Sequence, residues 1–312
     1  TESQKSALKE FCWAYTYWDQ TQNHNIISPN ANVYMFASYS FMWDGGFTEQ
    51  GSIFDLNKKK LVDAHTYIHE FGHVLGLDDY YSYDKDKTSP VGRLDMMDFN
   101  IGDHNAYSKY LLGWIEPTLI TKEGTYDLNS FAETGEALLI PASLTDYCYS
   151  AFDEYILVEL YTPTVNFEFD SKNKYMGLSS NYPYFYTKVG VRMFHVDSRM
   201  IVYNRATGKY SFSKTADISS AYQRISIAAS NTPSKSISSD YHLINLISQR
   251  RTKTYFSSNE YANNNDLFYD GDILFSYNFD NGSKLDYRIS VLDLDSHNKK
   301  STIQFEKKTT NS

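Results

Sequence analysis

The chain has 312 residues, 41% hydrophobic and 21% charged, which excludes a disordered protein and leaves one large domain or two. Its formal charge of −9 disfavours nucleic acid or an anionic membrane as main partner, and no run of about 18 apolar residues is present to span a bilayer. Two cysteines, Cys12 and Cys148, build neither a disulfide framework nor a cysteine zinc ribbon, and leave room for one bond between them.

Taken in chain order, "SALKEFCWAYTYW" spaces Leu8, Phe11, Cys12, Tyr15 and Trp18 as one helix face. "VYMFASYS" (33 to 40) reads as a strand, and "WDGGFTEQGS" as a glycine-marked loop. Leu61, Val62, Ile68, Phe71, Val74 and Leu75 then predict a helix over about 58–75, closed by Gly76. An acidic loop, a short turn ("VGRLDMMDFN") and a second helix ("HNAYSKYLLGW") follow, ending before Pro117. From about residue 119 the texture changes to short β-branched runs: "ALLIPASL", "YILVELY", "VGVRMFHVD", "RISIAAS", "YRISVLDL" and "STIQFEKK". That pattern predicts an all-β, sandwich-like region after a boundary near 118, and 28 tyrosines point the same way.

The chemistry concentrates in "YIHEFGHVLGLDDYY". On a helix, residues four apart share a face, so His69 and His73 aim two imidazoles at one point. A catalytic zinc needs three protein ligands and a water in the open position, and Glu70 stands where a carboxylate takes that water's proton. A bare H-E-x-x-H arises by chance in roughly a few per cent of chains this long; Gly76 and the aspartates beyond it add weight. The spacing His69, His73, Gly76, Asp79 fits the metzincin pattern with Asp in the third-ligand place. Asp79 is the expected third ligand; Asp78, Asp95, Asp98 and Glu116 are the alternatives. Met97 or Met96 in "LDMMD" fits the methionine turn beneath such a site, and a buried Met pair fits equally well. Tyr80 and Tyr81 are weaker candidates as oxyanion donors, because tyrosines abound. His65 reads as a helix-face residue outside the ligand set. His104 and His195 read as structural.

The succession "HEFGHVLGLDDYY", "VGRLDMMDF", "HNAYSKYLLGWIEP" resembles the M6 family of bacterial metallopeptidases, the immune inhibitor A type. Asp95–Met97 matches that family's D-x-M turn, and Lys109, Leu112, Gly113 and Trp114 its K-x-x-L-G-W helix end. "EYILVELY", "GVRMFHVD" and the closing β-segments follow in family order, so the likeness covers about residues 30–307. Asp78 stands where the family has Pro, which puts Asp79 on the family's Asp.

The resemblance implies an α+β fold: a metzincin-like catalytic domain (1–118; mixed sheet plus active-site helix) followed by an all-β sandwich-like domain (119–312). It implies a secreted or cell-surface zinc endopeptidase, taking Zn2+ on His69, His73 and Asp79 and hydrolysing proteins with a zinc-bound water and Glu70 as general base. Extended substrate is expected to add to an edge strand, for which 33–40 is the candidate. Calcium is a further expected ion; the stretches "DDYYSYDKD" and "NNNDLFYDGD" offer oxygens without EF-hand spacing and read first as solvated loops. About 68 residues precede the site, fewer than a metzincin front usually needs, so a trimmed or shortened front is expected. A monomer without a membrane span is the expected state. The competing expectation is an inactive or zymogen-like surface protein that binds through its β-domain.

Overall fold

The computed structural model describes residues 14–18, 33–37, 47–48, 51–52, 64–85, 88–173, 183–250, 256–257 and 260–308. Within them the chain is mixed α and β, with many strands and few, short helices. At the front, β1 (Tyr15–Trp18) pairs antiparallel with β2 (Val33–Phe36), and β3 (Phe47–Thr48) with β4 (Gly51–Ser52).

β1 corrects the end of the helix expected over "SALKEFCWAYTYW"; residues 6–13 of that stretch lie outside the described residues. Tyr, Thr and Trp are strand formers, and an i, i+3 match over so few residues fits either element. The partner strand decides, pairing Tyr15 with Phe36 and Trp18 with Val33. The β3–β4 pair likewise falls inside a stretch read as loop. Of the helix expected over 58–75, His65–Val74 is helical, with Ala64 and Leu75 as its caps; residues 58–63 lie outside the described residues.

The remaining strands follow the β-branched runs. They are β5 (Thr118–Leu119), β6 (Gly124–Asn129), β7 (Ala137–Pro141), β8 (Glu154–Tyr161), β9 (Gly190–Asp197) and β10 (Met200–Asn204). After these come β11 (Lys209–Ser213), β12 (Gln223–Ile227), β13 (Ile244–Ile247), β14 (Ile273–Leu274), β15 (Tyr287–Asp295) and β16 (Lys300–Lys307). A five-stranded sheet runs β13-β9-β8-β7-β5, a four-stranded one β14-β15-β16-β6, and a three-stranded one β11-β10-β12.

The five-stranded sheet is buried on both faces, and period-2 alternation sorts its side chains. Ile156, Val158 and Leu160 of β8 and Val191 and Met193 of β9 meet Ile289, Val291, Ile303 and Phe305 of the four-stranded sheet. Tyr155, Leu157, Tyr161, Phe194 and Val196 point the other way, onto Leu77, Tyr80, Met97 and Tyr107. The molecule is therefore layered: four-stranded sheet, five-stranded sheet, then the helices and loops that carry the site. This second core joins side chains from both sides of residue 118.

Two buried charges dock the site layer on the sheet. Glu159 Oε2 accepts the backbone N–H of Ala106 at 2.9 Å, at the start of the helix Ala106–Leu111, where a carboxylate meets unpaired N–H groups. Arg192 forms an ion pair with Glu159, and its guanidinium lies 5.1–5.4 Å from the ring centroids of Phe167, Tyr161 and Phe194. Cys148 is a free thiol; Cys12 lies outside the described residues.

Candidate metal centre

The helix His65–Val74 presents His69 and His73 on its inner face, both buried. Their Nδ1 atoms lie 2.7 Å from Met96 O and 2.8 Å from Leu77 O. A carbonyl oxygen only accepts, so each Nδ1 carries a proton and each Nε2 is the nitrogen left to face Asp79 and a metal. The two Nε2 atoms stand 3.2 Å apart. Asp79 Oδ1 lies 3.1 Å from one and 3.3 Å from the other. Three atoms able to ligate a metal thus face one another across a buried triangle, and Asp79 Oδ1 has no hydrogen-bond donor outside it.

That arrangement fits a metal ion. Ligands about 2.0–2.1 Å from a tetrahedral zinc are separated by about 3.3 Å, which is the size of this triangle. The electrostatics agree. Burial lowers the His73 imidazole, yet Asp79 outweighs it and pushes it up to about 9. Burial raises Asp79, but the two imidazoles outweigh it and hold the carboxyl down to about 2. The triangle attracts positive charge. The backbone carbonyls that orient both rings are the partners that metal-binding imidazoles usually have.

Local sequence explains the placement. Gly76 has φ 104° and meets nothing at its Cβ position, so backbone conformation, not space, calls for glycine there. The turn closes with Leu77 N–H on Gly72 O at 3.0 Å and brings the chain back under the helix. Tyr80 N–H donates to Met97 O at 2.8 Å, which seats Asp79 beside the imidazoles. Gly72 is needed for space: a Cβ there would lie 2.5 Å from Met97 Sδ. Met97, fully buried, is the floor beneath the helix, and Met96 contributes its carbonyl to His69.

Glu70 is buried beside the triangle. Thr16 Oγ1 lies 2.8 Å from its backbone oxygen and 3.2 Å from its Oε2, so β1 is tied to this carboxylate. Burial raises the Glu70 carboxyl, against the pull of His69, His73 and Thr16. Trp18 sets its ring edge-on to His73, centroids 6.5 Å apart. Ile68, Phe71 and Leu75 are exposed along the outer side of the helix.

The other candidates are engaged elsewhere. Asp78 accepts the Asp79 N–H at 3.0 Å. Asp95 caps the helix Met96–Phe99 and holds Asn105 Nδ2 at 2.7 Å. Asp98 binds Ser89 Oγ and the Arg93 N–H. Glu116 is exposed and outside the donor group. His65 faces Asp170 at 3.1 Å. Tyr80 is a core residue bonded to Ser108, which takes it out of reach as an oxyanion donor. In the acidic loops, Asp84 accepts from Ser234 and Asp266 completes a capping box.

Tyr83 is the site residue that the sequence reading missed. Its hydroxyl donates to Asp79 Oδ2, leaving Oδ1 to face the imidazoles. The four-residue spacing from Asp79 was the available signal, but the chain between them is a loop, where spacing does not set direction. Comparison of the chain with family models, curated proteins and solved structures finds no match.

Proposed function

We propose that the protein is a secreted or surface-exposed zinc endopeptidase of the immune inhibitor A type, with His69, His73 and Asp79 as metal ligands and Glu70 as the proton carrier. The observation that carries this reading is the buried triangle of two imidazole nitrogens and one carboxylate oxygen, with no other donor on Asp79 Oδ1. The order of sequence motifs supports the family, and the carboxylate beside the triangle supports the reaction. Zinc in such a site lowers the pKa of a coordinated water toward neutrality and polarises a carbonyl oxygen.

The chain's own groups do the rest. Glu70, buried and with its carboxyl raised, is suited to accept a proton from an attacking water and return it to the leaving amine. Thr16 fixes the orientation of that carboxylate. Tyr83 occupies the second Asp79 oxygen, which favours one-oxygen ligation and an open fourth position. An extended substrate is proposed to lie against β1 and β2, each paired on one side only among the described residues; main-chain hydrogen bonds would hold it. Exposed Trp18, Ile68, Phe71 and Leu75 supply an apolar rim for its side chains.

A second reading, a binding protein, is favoured by one feature: Tyr203, Tyr210, Phe212 and Tyr222 are exposed on and beside the three-stranded sheet. Cleavage of denatured casein by the zinc-loaded chain and by its Glu70→Gln variant separates the two. The endopeptidase reading expects cleavage that falls about 10³-fold in the variant. Equal rates, or no cleavage by the parent chain with zinc bound, would leave the binding reading.

A further inference from the structure

A second group of ionisable side chains, two buried and one half-buried, lies where the two large sheets meet. Glu154 opens β8 and His195 lies late in β9; alternation places both on the face turned to the four-stranded sheet, with Ile156 and Met193. Asp280 comes from the turn between β14 and β15. One donor atom from each of the three lies within 4.8 Å of the others. Glu154 is wholly buried and His195 is 1% exposed.

The turn is locked onto Glu154. The backbone N–H of Asp280 donates to its Oε1 at 2.5 Å, and that of Asn281 to its Oε2 at 3.0 Å. His195 Nε2 lies 3.0 Å from Glu154 Oε1. Arg199 takes Asp197 with two nitrogens, at 2.7 and 2.6 Å, and stands 3.5 Å from Glu154 Oε2. Arg199 is thus committed first to Asp197 and reaches Glu154 only at 3.5 Å, so the imidazole is the cation source nearest to both Glu154 and Asp280. Two polar atoms there are buried without a hydrogen-bond partner: Asp280 Oδ2 and His195 Nδ1.

A buried carboxylate oxygen without a donor is costly. Either a proton or a cation must relieve it. Burial, with Asp197 and Glu154 nearby, pushes the Asp280 carboxyl above the usual carboxylate range. One imidazole with two carboxylates is a donor set of the zinc and manganese class, whereas calcium takes six to eight oxygens. The 3.0 Å separation of His195 and Glu154 also suits two ligands of one ion, since bonds near 2.1 Å give edges of about 3.0–3.4 Å.

We propose that Glu154, His195 and Asp280 form a second divalent-metal site, of the zinc and manganese class, that fastens the Asp280 turn to the five-stranded sheet. Its role is structural: the ion ties the two large sheets together at the end of their shared core. The site is independent of the endopeptidase reading, and its test removes the first centre.

The probe is zinc alone, added to the chelator-stripped full chain carrying His69→Ala and His73→Ala. Native mass spectrometry is expected to show one bound zinc, with a raised melting temperature. X-ray absorption should show one imidazole nitrogen with oxygens. Adding Asp280→Asn is expected to remove both the bound zinc and the thermal shift. Should that chain fail to fold, Glu154→Gln in the same background takes its place with the same expectation. No zinc on the double variant, or zinc retained after Asp280→Asn or Glu154→Gln, overturns the proposal and leaves a protonated carboxyl network.

Discussion

The two donor clusters differ in how the chain assembles them. His69, His73 and Asp79 fall within eleven residues, on one helix and the turn that ends it. Glu154, His195 and Asp280 come from β8, β9 and a distant turn, and meet only because two sheets stack. In the first, helical periodicity and one glycine do most of the positioning. In the second, strand register and sheet packing do all of it. Local geometry can therefore announce the first cluster in one dimension, while the second has no one-dimensional signature.

If that contrast is right, damage to the sheet layer should cost stability, and changes near the helix should act on the centre itself. Beyond the loss expected for Glu70→Gln, the largest effect is predicted for Arg192→Met. It leaves Glu159 buried without its cation, which costs about 3–5 kcal/mol. Urea unfolding at pH 7 measures this, and adding Glu159→Gln should recover part of it. A cost below about 1 kcal/mol would show that the buried pair does not hold the layers.

His104 gives a pH test at the site layer. Burial holds its imidazole down to about 4, so it is neutral in the fold while the unfolded chain binds a proton below about 6.5. The unfolded state then holds more protons, and stability must fall as pH drops from about 6.5 to 4, by up to about 3 kcal/mol from this residue. Urea midpoints across that window should change less in His104→Phe than in the parent. Parallel slopes would remove His104 from the account.

Gly72→Ala sets two effects against each other. Alanine gains roughly 0.5–1 kcal/mol of helix propensity, but its Cβ meets Met97 Sδ at 2.5 Å, and overpacking costs about 1–3 kcal/mol. A net loss of stability is expected, relieved by Met97→Ala in the same chain. A stabilised variant would mean that the helix and its methionine floor are not in close contact. The smallest effect is predicted for Tyr83→Phe. Freeing Asp79 Oδ2 should weaken zinc about tenfold, or about 1.4 kcal/mol, by chelator competition, with the melting temperature of the metal-free chain little changed. Unchanged affinity would show that the helix and turn suffice.

The sequence by itself determined the helix that carries His69 and His73, the break at Gly76, and the β-runs after residue 119. These depend on interactions between near neighbours: an i, i+4 face, a positive φ, alternation along a strand. Among the alternatives for the third donor it pointed to Asp79, and the structure places that carboxylate in the triangle while Asp95 and Asp98 are taken up by caps and backbone N–H groups. Tertiary structure alone decided the rest. Tyr15–Trp18 is a strand because Val33–Phe36 lies beside it. Tyr83 reaches Asp79 because loop packing turns it there. Glu154, His195 and Asp280 meet because sheets stack. In each case the deciding contact is made with chain far away in sequence, and periodicity carries no record of it.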